Sequence, residues 1–127
     1  MDAIDAVRRI YDAFGEGDLD AVMAHCASDA VVTQDPALPW GGRYVGRDGI
    51  AEFALKLIGT SDSTITTEEL YQAGEQVVQY GRSTGTVRDN GVAFDVAECH
   101  VWTVREGLVV EARFYIDSAA MLKALHR

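Results

Sequence analysis

The sequence predicts a single α+β domain, residues 1–127, with helices gathered toward the N-terminus on one face of a curved sheet. Three observations predict it. Apolar residues recur mostly at helical spacing as far as Ile58, and the period switches to two from Thr64. The two-residue period then runs to Asp117, broken by turn signals at Gly74-Glu75, Asp89-Asn90-Gly91 and Arg105-Glu106-Gly107. Helices followed by a run of antiparallel strands place the helices on one side of the sheet and leave a cavity at its open end. At 127 residues the chain holds one sizeable core, and 48% hydrophobic with 24% charged residues is an ordinary soluble composition.

Each element has its own signal. Ile4, Val7, Tyr11 and Phe14 form the stripe of a first amphipathic helix that ends near Gly15 and Gly17. Asp18 caps a second short helix that carries Leu19, Val22 and Met23 inward. Asp29 to Gln34 reads as a strand stopped by Asp35-Pro36, and residues 36–46 as a loop holding Trp40 and Tyr44. Ile50, Phe53, Ala54, Leu57 and Ile58 stripe a third helix, closed by Gly59 to Ser63. Strands are expected at Thr64–Gln72 and Gln76–Arg88, and Asp117 or Ser118 caps a last helix through Leu125.

The stretch Val92–Asp117 carries the chemistry. Phe94, Val96, Glu98, His100, Trp102 and Val104 share one parity, as do Ala112, Phe114 and Ile116 in the following arm. A carboxylate, an imidazole and an indole on an apolar face form either a satisfied core network or the wall of a pocket, because unpartnered polar groups there cost free energy. Arg113, Tyr115, Val101 and Thr103 take the opposite parity, and their mixed surface is expected to join two copies as a homodimer.

Charge narrows the partners. Twenty acidic against 11 basic residues give a net charge of −9, which provides no basic footprint for nucleic acid or an anionic membrane. No run approaches the roughly 20 apolar residues of a membrane span, and the N-terminus lacks a basic-then-apolar leader, so a cytoplasmic location is expected. Cys26 and Cys99 are isolated and are expected to be free thiols, Cys26 on a helix and Cys99 on a strand. No metal-ligand spacing, phosphate loop or nucleophile triad occurs, so no metal or cofactor is implied.

Several runs together carry a resemblance: Phe14 to Ala21, Asp29 to Val32, Tyr44 to Ile50, His100 to Gly107, and Tyr115-Ile116-Asp117. Over nearly its whole length the chain resembles the SnoaL-like branch of the nuclear transport factor 2-like superfamily. The resemblance implies a cone of curved mixed sheet closed by helices (also described as cystatin-like), usually dimeric. Ketosteroid isomerases, polyketide cyclases, limonene-epoxide hydrolases and non-catalytic domains share that fold, and fold alone does not choose among them. The isomerase base aspartate precedes a proline, a dipeptide matched here by Asp35-Pro36, while an ungapped match gives Gln34. The isomerase's protonated aspartate falls on His100, or on Cys99 in another alignment of the turn. Its helix tyrosine falls on Ile10, beside Tyr11. The epoxide-hydrolase Asp-Arg-Asp set falls on Gly81, Ser83 and Phe114, which argues against that activity. The cyclase aspartate is matched securely by neither Asp95 nor Asp117.

The expected function is a cofactor-free acid–base enzyme, isomerase- or cyclase-like, acting on a hydrophobic carbonyl compound. Asp35 is the expected base, with His100 and Tyr11 as donors. Trp40, Glu98, Trp102, Phe114 and Ile116 are expected to line the pocket. The alternative is a non-catalytic ligand-binding or dimerisation domain in which His100 and Glu98 are internal structure.

Overall fold

The computed structural model describes residues 2–127. Among the described residues, four helices and six strands follow in the order α1 (Ala3–Gly15), α2 (Leu19–Ala24), β1 (Cys26–Gln34), β2 (Gly42–Val45), α3 (Gly46–Thr60), β3 (Ser61–Ala73), β4 (Gln76–Val87), β5 (Ala93–Arg105), β6 (Leu108–Ile116) and α4 (Ser118–Leu125). The strands form one curved sheet in the order β2-β1-β6-β5-β4-β3. All neighbours are antiparallel except β1 and β6, so the sheet is mixed.

The helices obey local rules. The Asp2 side chain accepts from the Asp5 backbone N–H at 2.9 Å, Asp18 from Ala21 at 3.1 Å and Asp117 from Ala120 at 3.1 Å, each satisfying a donor that a helix start leaves orphaned. Helix α1 buries Ala6, Val7, Ile10 and Ala13 against the concave face of the sheet, and α4 lays Met121 into the same core. The sheet bends through register shifts between Thr67 and Glu69 of β3 and between Thr103 and Val104 of β5. Gly81 allows β3 to approach β4 closely, since a Cβ there would stand 2.1 Å from the Thr66 carbonyl oxygen. The β5 alternation survives both shifts, and every second residue from Phe94 to Val104 is buried.

Four expectations need correction. The stretch 36–46 is not all loop, because Gly42–Val45 pairs with β1 and brings Tyr44 opposite Val32. A four-residue strand flanked by glycines carries too short an alternation to stand out. Strand β1 begins at Cys26, three residues before the predicted start, so Cys26 lies on a strand and not on a helix. Its extra residues sit in a register shift between Cys26 and Val31, where two exposed residues, Ser28 and Asp29, mask the period. Ile58 is 39% exposed, so the buried stripe of α3 is narrower than predicted. Strand β3 begins at Ser61, taking in most of the segment read as the closure of α3. Both cysteines are free, as expected.

The turn before β2 is pinned by its backbone. Leu38 N–H donates to the Asp35 carbonyl and Gly41 N–H to the Leu38 carbonyl, which folds Trp40 inward. A Cβ on Gly41 would lie 1.8 Å from the Asp35 carbonyl oxygen. Gly41→Ala should therefore displace the turn and lower stability by about 1–3 kcal/mol. An unchanged urea midpoint would contradict this close approach.

Candidate functional site

The concave face of the sheet, α1, α3 and the Trp40 turn enclose a cavity of about 120 Å³. Parity delivers its wall: burying Phe94, Val96 and Trp102 of β5 brings Glu98 and His100 to the same side. Tyr11, Trp40, Trp102, Phe114 and Ile116 line it too. Phe114 is the floor between strands, with ring centroids 4.7 Å from His100, 5.2 Å from Trp102 and 5.6 Å from Phe53.

A chain of polar contacts joins α1 to β5. The Trp102 indole nitrogen lies 2.9 Å from Tyr11 Oη, and Tyr11 Oη lies 2.8 Å from His100 Nδ1. Chemistry orders the protons. An indole only donates, so Tyr11 Oη accepts from Trp102 and sends its own proton to His100 Nδ1. A neutral His100 that accepts at Nδ1 carries its proton on Nε2. Nε2 stands 3.4 Å from Glu98 Oε2, a contact not aligned as a hydrogen bond, and Oε2 has no hydrogen-bond partner.

Burial sets the protonation states. Desolvation pushes the Glu98 carboxyl up from its ordinary 4.5 to about 7, against a hydrogen bond from Gln79 that holds it down. Desolvation alone lowers His100 from 6.5 to about 3. The two therefore sit side by side with His100 neutral and Glu98 near its midpoint at neutral pH, although their contact has the form of an ion pair. Burial also raises the Tyr11 hydroxyl well above its ordinary value, so Tyr11 keeps its proton.

Asp35 does not join this group. It follows Gln34, which shares the buried parity of Ala30 and Val32, so its own side chain leaves on the opposite side. It is exposed, caps the turn by accepting from Ala37 N–H at 2.9 Å, and lies outside the cavity wall. That hydrogen bond and a second with Ser118 hold its carboxyl below the ordinary range. The ungapped alternative, Gln34, is the residue at the cavity, with its side-chain oxygen 2.9 Å from the Trp40 indole nitrogen. Cys99, the alternative to His100, has the outward parity. Gln79 is fully buried beside the site and was not singled out in the sequence. Its signal is shared parity with Val77, and it pairs directly with His100 across the β4–β5 ladder.

The SnoaL-like domain family model matches residues 7–112. Among solved structures the chain is similar to a nuclear transport factor 2-like protein of unknown function from Burkholderia pseudomallei K96243, with 26% identity, all of both chains covered and a TM-score of 0.92. A candidate polyketide cyclase from Pseudomonas putida KT2440 shares the fold at 18% identity, with 98% of each chain covered and a TM-score of 0.85. So does a protein of ketosteroid isomerase-like fold from Catenulispora acidiphila DSM 44928, solved in complex with trimethylamine, at 17% identity, 94% of this chain and 90% of that one, and a TM-score of 0.82. No curated protein matches the sequence.

The Glu98–His100 pair has a pH signature in stability. Glu98 has a raised folded pKa, so alone it removes stability as pH rises from 4.5 to about 7. His100 has a lowered one, so alone it removes stability as pH falls from 6.5 to about 3. Between 4.5 and 6.5 the folded and unfolded pairs hold the same number of protons, and their contributions cancel. Glu98→Gln should uncover the histidine slope, making stability fall toward acid by up to about 1.4 kcal/mol per pH unit more than in the parent chain. Urea unfolding at several pH values checks this, and parallel pH profiles for the two proteins would contradict it.

Proposed function

The chain belongs to the SnoaL-like domain family, and we propose that its cavity binds a small hydrophobic carbonyl compound on which Glu98 moves a proton. The observation that carries this reading is Glu98 Oε2: a buried carboxylate oxygen on the cavity wall with no hydrogen-bond partner. A carboxyl near its midpoint at neutral pH suits a base that must accept a proton and give it back. In the reaction Glu98 takes a proton from the carbon beside the carbonyl. The electron pair of the broken C–H bond moves onto the carbonyl oxygen. The protonated Glu98 then returns the proton to the same carbon or a conjugated one. No redox partner enters the balance.

His100 and Tyr11 act as positioning residues in this scheme. Their mutual hydrogen bond fixes the imidazole, and the neutral ring beside Glu98 supplies no fixed positive charge that would hold the carboxylate permanently ionised. The base role expected of Asp35 passes to Glu98, because Asp35 lies outside the cavity. The second reading, a binding domain without catalysis, is favoured by one observation: Tyr11 Oη and His100 Nδ1 are spent on each other and on Trp102, which leaves only the His100 Nε2 proton of this group for a ligand.

Deuterium incorporation into single-ring ketones in D₂O, followed by NMR, separates the readings. The parent protein should exchange the protons beside the carbonyl, with a rate that falls as pH drops through about 7. Glu98→Gln should lose about 10²-fold or more with the fold retained by circular dichroism, whereas Asp35→Asn should match the parent. Exchange that survives Glu98→Gln would refute the assignment, and ligand binding without any exchange would favour the binding domain.

The outer face of the sheet supports a homodimer. Tyr80, Cys99 and Tyr115 stand in one cross-strand row on that face, and Tyr80 and Tyr115 are 42% and 52% exposed. Aromatic residues of this kind are enriched in interface cores. Sedimentation at micromolar concentration should give a dimer that Tyr115→Asp weakens, and a monomeric parent chain would rule it out. A cytoplasmic location fits the two free cysteines.

A further inference from the structure

The proposed pocket has a second polar group, and its geometry identifies the part of the ligand it meets. Gln34 ends β1 with its side chain at the cavity, 9% exposed. The amide's orientation is settled by its neighbour: the Trp40 indole nitrogen only donates, so the Gln34 atom 2.9 Å away is the oxygen. Trp40 is itself buried and held by the turn folded over Asp35, so the amide is fixed. The Gln34 Nε2 group therefore faces away from the indole with its two N–H donors, and the one side-chain hydrogen bond of Gln34 among the described residues is the one its oxygen accepts.

The register places this donor relative to Glu98. Gln34 pairs with Phe114, and Phe114 pairs with His100, so the three stand in one row on the concave face. Two strand spacings put the Gln34 and His100 backbones about 10 Å apart, with the Phe114 ring between them. Glu98 lies one pleat repeat further along β5 on the same face. The cavity thus presents N–H donors on one side and a carboxylate on the other, across an apolar floor about one ring wide. Its volume of about 120 Å³ is close to that of a cavity that takes benzene, and well below the pockets of drug-sized ligands. No Lys or Arg lines it among the described residues, so a carboxylate or phosphate on the ligand would meet no counter-charge.

We propose that the site selects neutral single-ring ketones or aldehydes, whose carbonyl oxygen accepts from Gln34 Nε2 while the ring lies over Phe114. This rests on the reading of the cavity as a carbonyl-compound site and assigns Gln34 as its specificity-determining residue. Gln34 would also take up the charge that develops on the oxygen when Glu98 removes the neighbouring proton.

The test uses an isosteric pair, cyclohexanone and methylenecyclohexane, with binding followed through the fluorescence of Trp40 and Trp102, which line the cavity. The comparison is the ratio of ketone affinity to alkene affinity in the parent chain and in two variants. Gln34→Met removes the donor at similar volume. Gln34→Met combined with Trp40→Phe also removes the indole that would be left unpaired, so it keeps the test available where the single variant folds poorly. The ketone-to-alkene ratio should drop about 10-fold in either variant while alkene binding persists. An unchanged ratio, or failure of the parent chain to bind either compound, overturns the inference. Its failure is distinguishable from failure of the catalytic reading: a lost Gln34 preference with Glu98-dependent exchange intact removes only the Gln34 assignment, and a ratio shift without exchange removes only catalysis.

Discussion

Two ionisable side chains, Glu98 and His100, are buried on the largely apolar concave face of the sheet, and the rest of the site follows from how their burial is made tolerable. Each would cost several kcal/mol as an isolated buried ion. Folding avoids that cost by moving the charge away. In the unfolded chain near pH 5.5 the histidine is cationic and the glutamate anionic, whereas in the cone the pair holds the same number of protons in neutral form. Tyr11 and Trp102 complete the arrangement by giving the imidazole a donor at Nδ1. Helix α1 is thereby tied to β5 by hydrogen bonds as well as by packing. Deleting the Tyr11 hydroxyl would orphan groups on both partners, at about 1–3 kcal/mol.

The same arrangement leaves one atom unserved. Glu98 Oε2 has no hydrogen-bond partner, in a site where Tyr11, Trp102 and His100 Nδ1 pair with each other. A fully internal network would satisfy that oxygen. An unsatisfied carboxylate oxygen on a cavity wall is more simply explained by a ligand that supplies the contact or a proton. Gln34 tells the same story from the opposite wall, because its amide is oriented by Trp40 and yet its donors are unspent.

Much of this was legible in the sequence wherever parity was uninterrupted. The β5 alternation places Glu98, His100 and Trp102 on one face, and no register shift falls between them, so that inference survives intact. Tyr11 follows in the same way from its helical stripe. Legibility fails where an element is short or bulged. Strand β2 has four residues, and β1 carries a register shift that hides its first half. The Asp35-Pro36 dipeptide matches the isomerase pattern, yet the alternation Ala30, Val32, Gln34 assigns the inward position to the neighbour of Asp35. Local parity was the better guide there than the dipeptide match. The hydrogen bond from Trp40 to Gln34 depends on a turn whose path no periodicity specifies.

The proposed chemistry turns on the protonation state of one carboxyl, which is directly observable. Labelling the glutamate side chains with carbon-13, assigning the Glu98 resonance by comparison with Glu98→Gln, and following its chemical shift with pH would give its titration midpoint. The expected midpoint is near 7, with the His100 ring neutral and protonated at Nε2 throughout that range. A midpoint at the ordinary value of 4.5, with His100 cationic at neutral pH, would mean a fixed ion pair at the heart of the cone and would contradict the proposed chemistry.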